Sequence, residues 1–262
     1  MLLLTLVLLT AGSWAITVHQ ARTMDMPMGV AISGTAHASM DGMGATATAG
    51  WSVGAAAAFL AVWTVMMAAM MLPAAAPMVL LFDAVHAKRR GQPSFIPTWI
   101  FVAGYLLVWT AAGLIVYALV RLGSDLADRL GAADREAWAP RALGTILVAA
   151  GLYQLTPLKR VCLNHCRSAL GFVMTHWRDG RLGTLRMGLE HGAYCLGCCW
   201  ALFAVLVATG VMSLPWMILL TLVVFAEKVF PHERRVTVGI GAGFVVLGVI
   251  VAAGTMDLPW AV

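Results

Sequence analysis

The sequence predicts an all-α fold, a polytopic transmembrane bundle of about seven helices. Hydrophobic residues make up 61% of the 262 residues and charged residues only 11%, whereas a soluble domain is about half apolar and a quarter charged. The chain also contains apolar stretches of about the 20 residues that a helix needs to cross hydrocarbon. They lie at about 1–18, 52–82, 97–120, 141–158, 187–209, 212–229 and 236–256. The count falls to six if the first stretch is removed or truncated.

The stretches divide the chain into three predicted parts. We predict that residues 1–18 are a first transmembrane anchor. A secretory signal would carry a basic residue ahead of its apolar run and a small-residue cleavage site close behind it, and this stretch has no basic residue and no clear site of that kind. Residues 19–50 form a linker rich in Gly, Ala, Ser and Thr without hydrophobic periodicity, which we expect to be flexible and extracytoplasmic. Residues 51–262 are a six-helix membrane domain.

The distribution of basic residues predicts the topology of a multi-pass protein in a bacterial inner membrane. Lys and Arg in short loops mark the cytoplasmic side, and most of the 17 follow stretches two, four and six. The amino terminus should therefore lie inside and the carboxyl terminus outside. Because these charges are spread among short loops, the net charge of +5 indicates no nucleic-acid partner. The predicted surroundings are the lipid bilayer.

Two groups of cysteines follow helical spacing and predict a metal site. They fall at i, i+4 and at i, i+3, i+4, so each group shares one helix face. They lie around the predicted cytoplasmic loop and the inner half of stretch five, where thiols stay reduced. The candidate ligands are Cys162, His165, Cys166, Cys195, Cys198 and Cys199. This hypothesis requires the two groups to meet; the alternative is that buried cysteines act as small packing residues.

The donor types favour Cu(I), with Zn(II) as the alternative. Two or three thiolates suit Cu(I), and four ligands including His suit Zn(II). A cation between two thiolates leaves one negative charge, which Lys159, Arg160 or Arg167 is expected to offset. Three glycines in stretch five leave room for another backbone to approach closely: Gly188, Gly192 and Gly197.

Methionines are concentrated in the linker and predict capture of a soft ion outside the cytoplasm. The sequence Met-Asp-Met-Pro-Met places thioethers at every second residue, and thioethers bind Cu(I) without losing a proton. The candidate capture residues are Met24, Met26, Met28, His37, Met40 and Met43. The alternative is an ordinary linker that carries methionines by chance.

A second group of methionines lies in stretch two, directly before two prolines. Pro73 and Pro77 each remove a backbone donor, so we expect the helix to kink or open there. An opened helix lined by thioethers would provide an ion path, although plain packing is the commoner role of methionine in a core. The candidate path residues are Met66, Met67, Met70, Met71 and Met78.

Three strings carry a resemblance to a known family. They are AVWTVMMAAMMLPAAAPM at 61–78, YQLTPLKRVCLNHCRS at 153–168 and HGAYCLGCCWAL at 191–202, followed by the pair Glu227-Lys228. Together they resemble a bacterial family of uncharacterised integral membrane proteins predicted to bind metal. The resemblance covers about residues 51–250 and implies a metal-binding membrane protein.

The remaining ionisable residues of the later stretches are predicted to lie at the inner interface. Salt bridges or snorkelling would explain Glu190, His191, Glu227 and Lys228 without a function. The sequence has no phosphate-binding Gly loop and no Ser-His-Asp arrangement, so neither a hydrolase nor a nucleotide-driven pump is expected.

Three functions remain for such a chain. The favoured one is non-enzymatic: a Cu(I) carrier or membrane chaperone that captures copper outside and passes it along stretch two to the inner thiols, delivering it to a metallochaperone or a membrane complex. The first alternative is a membrane thiol/disulfide redox protein, since Cys195 and Cys198 have C-x-x-C spacing. The second is an accessory subunit of a larger complex with structural cysteines. The oligomeric state does not follow from the sequence.

Overall fold

The computed structural model describes residues 2–23, 52–90, 95–129, 132–230 and 233–254. Most of the linker, and with it every candidate capture residue, lies outside the described residues. These are Met24, Met26, Met28, His37, Met40 and Met43.

The described part of the chain is all-α, which confirms the predicted fold class. Its helices are α1 (Leu2–Thr23), α2 (Val53–Arg90), α3 (Phe95–Asp128), α4 (Ala132–Gln154), α5 (Pro157–Arg167), α6 (Ala169–His176), α7 (Gly180–Thr209), α8 (Leu214–Val229) and α9 (Glu233–Ala252). Each predicted apolar stretch overlaps one helix (α1 to α4 and α7 to α9), and α5 and α6 lie mainly in the basic segment between stretches four and five.

Five helices of the described chain are long and apolar enough to cross a membrane alone: α1, α2, α3, α7 and α9. A sixth crossing is available if α4 and α5, which meet at a bend of 64°, count as one broken span. Helix α8 has 16 residues and rises only about 24 Å, less than the roughly 30 Å of a hydrocarbon core. The predicted stretches are thus all helical, but not all of them are full spans.

The break between α4 and α5 follows from local sequence. Thr156 has an extended backbone (φ −71°, ψ 148°), and its hydroxyl accepts a hydrogen bond from the Lys159 amide at 3.3 Å. Pro157 occupies the first turn, where its missing N–H costs nothing. A new helix therefore begins at Pro157, turned away from the axis of α4.

Glycines bring the helix backbones into contact. A Cβ atom on Gly144 of α4 would lie 2.5 Å from the Gly248 carbonyl oxygen of α9, and one on Gly151 would lie 2.6 Å from that of Gly241. In α7, a Cβ on Gly188 would overlap the carbonyl of Phe101 in α3. The space predicted at Gly188 is therefore used for close helix packing.

Helix α2 continues without interruption through Pro73 and Pro77. The predicted opening is therefore wrong, since both prolines are inside one 38-residue helix. A buried hydrogen bond of 2.8 Å from the Trp63 indole nitrogen to the Trp109 carbonyl ties α2 to α3. The packing of α3 beside α7 completes a core formed by α2, α3 and α7.

Candidate metal centre

Three cysteines from two helices converge in the core. Cys166 of α5 and Cys195 and Cys198 of α7 have sulfur atoms within 4.8 Å of one another, and the Cys198 and Cys166 sulfurs are 3.9 Å apart. Their exposed fractions are 8%, 0% and 1%. We call this group the cysteine trio; it is the one such cluster of His, Cys, Asp or Glu among the described residues. The two predicted cysteine groups therefore meet.

The helix boundaries explain which cysteines converge. Cys195 and Cys198 are three residues apart on one face of α7, and the bend before α5 turns Cys166 toward them. Helix α7 begins at Gly180, earlier than the predicted 187, so Cys195 lies about 22 Å along it. The trio is therefore close to the middle of a 30-residue helix. All five cysteines are free thiols.

The other two predicted cysteine ligands lie beside the trio. The Cys199 sulfur is buried and 3.2 Å from the sulfur of Cys198. Cys162 is half-buried and packs against Gly197, where an added Cβ would lie 2.9 Å from its sulfur. Gly197 thus leaves the space that Cys162 fills, and Cys162 is not one of the three cysteines that converge.

His165 is not brought into the trio. Its Nδ1 lies 2.8 Å from the Val161 carbonyl oxygen in the preceding turn. Its ring stacks on Tyr194, with centroids 4.4 Å apart and an interplanar angle of 6°. The structure therefore places this predicted ligand in an aromatic group beside α7.

Two polar groups that the sequence analysis did not assign to the site contact Cys195. The Tyr105 hydroxyl of α3 lies 3.1 Å from its sulfur, and the Lys228 ammonium of α8 donates to the same sulfur at 3.0 Å. An ammonium at hydrogen-bond distance favours the thiolate form of a buried sulfur. The signal in the sequence was a lysine in an otherwise apolar helix, which the prediction treated as interfacial.

The basic residues predicted to offset the thiolates have other partners or positions. Lys159 Nζ forms an ion pair of 2.7 Å with Glu227 Oε2, and both side chains are 1% exposed. Arg167 donates to the carbonyl oxygens of Phe230 at 2.6 Å and Glu227 at 3.3 Å. Arg160 is exposed. The basic group beside the thiols is therefore Lys228, and not one of the three residues that were predicted.

Glu227 is buried in the protein and forms a salt bridge, one of the two arrangements predicted for it. Besides the ion pair with Lys159, it accepts a 3.0 Å hydrogen bond from the Gln154 side-chain amide. These contacts join the ends of α4 and α5 to α8 at the bend. Such contacts to both charged groups are what a buried ion pair requires.

His191 is also buried within the protein. The side chain is 1% exposed, and its Nδ1 has no hydrogen-bond partner. Its neighbour Glu190 does form the predicted salt bridge, with Arg186 at 3.1 Å. Glu190 is partly exposed whereas His191 is buried, because successive side chains point to different faces of α7.

The five predicted path methionines are all buried, at 0% to 2% exposure. Met66, Met67, Met70 and Met71 belong to the same hydrophobic cluster as the trio, together with Trp63. Met78 belongs to a second cluster with Phe82 and Phe101. The structure thus brings four thioethers into the core that holds the thiols and leaves the fifth apart from it.

Comparison with known families gives one match. Residues 60–251 match the family profile described as "PpoB2: Copper chaperone". No curated protein and no solved structure matches the chain. The matched range includes the whole trio, Lys228 and the methionines of α2.

Proposed function

Because the chain belongs to the PpoB2 family of copper chaperones, we propose that it holds one Cu(I) at the cysteine trio within the membrane and delivers it to a protein partner. The observation that carries the proposal is the convergence of Cys166, Cys195 and Cys198 from two helices within 4.8 Å. Thiolates are the donors that Cu(I) prefers.

The sulfur spacing suits a single small ion. Metal–thiolate bonds of about 2.3 Å, as in zinc sites, allow two sulfurs on opposite sides of an ion to be about 4.6 Å apart. The 3.9 Å between Cys166 and Cys198 is within that limit. The thiols would need only small shifts to bind, which supports a preformed site.

Charge balance supports a monovalent ion. Cu(I) with two thiolates and one protonated thiol carries one net negative charge, and the Lys228 ammonium beside Cys195 compensates it. A closed structural zinc site usually has four ligands, and Zn(II) held by the trio and Cys199 as four thiolates would carry a net charge of about −2, which one ammonium does not balance. We therefore favour Cu(I) over Zn(II) as the cargo.

The remaining predicted residues supply an entry route in this proposal. The linker methionines and His37 would capture Cu(I) outside the cytoplasm, and Met66, Met67, Met70 and Met71 would pass it to the trio. Burial of these four thioethers in the same cluster as the thiols supports this order. Stronger donation by thiolate than by thioether would give the route its direction. Cys199, 3.2 Å from Cys198, would be an additional sulfur ligand where the ion enters the trio.

The recipient and the setting are part of the same proposal. We place the protein in the inner membrane of a bacterium, with the basic loops inside. The partner would be a metallochaperone or a membrane complex that requires copper for assembly.

X-ray absorption spectroscopy at the copper edge tests the proposed function. The full chain is purified in detergent under reducing conditions, loaded with Cu(I) and desalted. We expect retained copper with only sulfur in the first coordination shell, and the same spectrum for the control variant Cys162→Ser. If no copper is retained, and oxidant instead converts two thiols reversibly to a disulfide, the protein is a redox protein and the proposal is wrong.

A further inference from the structure

We propose that His191 is the next ligand after the cysteine trio, and that Cu(I) leaves the trio by exchanging a sulfur ligand for this imidazole nitrogen. The inference rests on the proposed function, since it assigns an exit to the same ion. It gives a role to a buried polar residue that neither the family match nor the trio explains.

The imidazole of His191 lacks the partner that burial demands. The side chain is 1% exposed, and its Nδ1 has no hydrogen-bond partner. Three aromatic rings surround it, with centroids at 6.0 Å for Phe101, 5.8 Å for Tyr105 and 5.3 Å for Phe172. A buried nitrogen without a partner costs free energy. An ion that binds to His191 Nδ1 would remove that cost.

Helical spacing places this imidazole next to the trio. His191 and Cys195 are four residues apart on α7 and both are buried, so their side chains lie one turn apart on the same face. Two ligands at this spacing can hold one ion, as the two histidines of H-E-x-x-H helices do. Tyr105 links them further, because its ring packs near His191 and its hydroxyl contacts Cys195.

The transfer needs no redox chemistry. Copper stays Cu(I) throughout and remains bound to Cys166 and Cys195, which are the ligands common to both positions. The bond to His191 Nδ1 forms as the bond to Cys198 Sγ breaks, and the electron pair of that bond returns to sulfur. A stepwise exchange that never leaves the ion with fewer than two ligands avoids exposing a bare cation to a low-dielectric core.

Two more imidazoles lie near Phe172, whose ring packs against that of His191. The ring of His176 stacks on Phe172 at 4.6 Å, and His165 lies 6.5 Å from His176. His165 donates its Nδ1 proton to the Val161 carbonyl, which leaves Nε2 as the nitrogen with a free lone pair. Metal-bound histidines are commonly held in this way. Both rings are only half-buried, so an ion that reaches them is near the surface.

A spectroscopic experiment tests the imidazole directly. Removing the sulfur that departs, by Cys198→Ser, should trap Cu(I) between His191 and the two remaining trio cysteines, Cys166 and Cys195. X-ray absorption of this variant loaded with Cu(I) should show nitrogen in the first shell, and the double variant Cys198→Ser/His191→Phe should not. A sulfur-only shell in Cys198→Ser would overturn the proposal.

A kinetic experiment tests the relay in the chain with an intact trio. The rate of Cu(I) withdrawal by the water-soluble chelator bathocuproine disulfonate is measured for wild type, His191→Phe and the control His86→Phe. His86 is matched, because it is also buried with an unpartnered Nδ1, but packs against Phe82 and Trp177. We expect release from His191→Phe to be about tenfold slower, as a barrier higher by about 1.4 kcal/mol produces, and release from His86→Phe to be unchanged.

The outcomes separate this inference from the function on which it rests. Failure of wild type to retain Cu(I) refutes the proposed function. Retention with equal release rates for wild type and His191→Phe leaves the function intact and overturns the relay. Complete loss of copper from a folded His191→Phe also overturns the relay, because His191 would then belong to the resting site.

Discussion

Two groups of sulfur atoms lie in one buried core, and their surroundings differ. The trio cysteine Cys195 contacts the Tyr105 hydroxyl and the Lys228 ammonium within 3.1 Å. The four α2 methionines belong to the same cluster and are 0% to 1% exposed, and their thioethers are neutral. Burial is thus alike in the two groups, whereas these polar contacts are made by the thiols.

The difference shows what distinguishes a charged site from ordinary packing. A thioether is neutral and packs without a partner, but a thiolate in a low-dielectric core requires compensation. Near the cysteines, Lys228 contacts the Cys195 sulfur, and Lys159 forms an ion pair with Glu227 at the bend of α4 and α5. The methionines need neither. Variants that remove these charges, and variants that remove thioethers, should therefore behave differently.

The largest effect is expected from breaking the ion pair at the bend. Glu227→Ala leaves the Lys159 ammonium buried without its carboxylate, so the free energy of unfolding should fall by about 3–5 kcal/mol. Denaturant unfolding in detergent measures it. The control Glu190→Ala breaks a partly exposed salt bridge and should cost about 0–1 kcal/mol.

A double variant sharpens this prediction. Lys159→Met/Glu227→Met replaces both charges with apolar side chains and should recover most of the lost stability. Equal unfolding free energies for Glu227→Ala and Glu190→Ala would show that the buried ion pair does not stabilise the contact between α5 and α8.

An intermediate effect is expected at Lys228. Lys228→Met removes the charge that compensates the thiolates, and we expect the affinity for Cu(I) to fall by about 10–100-fold, the range typical when a group that supports a metal ligand is lost. Competition against a Cu(I) chelator measures it. Lys228→Arg keeps the charge and should lose less. An affinity equal to wild type in Lys228→Met would refute the charge-balance argument.

The smallest effect on the resting protein is expected in the methionines. Met70→Leu conserves volume, so the free energy of unfolding should change by less than about 1.5 kcal/mol, and the copper bound per chain should stay the same. Uptake of Cu(I) into the trio should slow, since one thioether of the proposed entry route is lost. Stopped-flow loading of chain in detergent compares the rates; a rate equal to wild type would assign Met70 to packing alone.

The fold was predictable from the sequence because the length and apolar character of the stretches determine it. The break at Thr156 was not predicted, because Pro157 is compatible both with a kinked helix and with the first turn of a new one. Its consequence is that Cys166 joins Cys195 and Cys198, while Cys162 packs against Gly197.

The polar partners of the site were harder to predict than its thiols. Helical spacing places Cys195 and Cys198 on one face, but it does not say which neighbouring helix covers that face. The Tyr105 hydroxyl reaches the site from α3, which is far from α7 in sequence, and the Lys228 ammonium reaches it from α8, the helix that follows α7. His191 was predicted at the interface because α7 was expected to begin at 187 rather than at Gly180.

Copper content per chain is the most direct test of the central claim that sulfurs from α5 and α7 hold one ion together. Elemental analysis compares wild type, Cys195→Ser and Cys162→Ser after loading with Cu(I) and desalting under reducing conditions. We predict that wild type and Cys162→Ser each retain one copper per chain and that a folded Cys195→Ser retains none. Equal copper in all three, or none in any, would contradict the account.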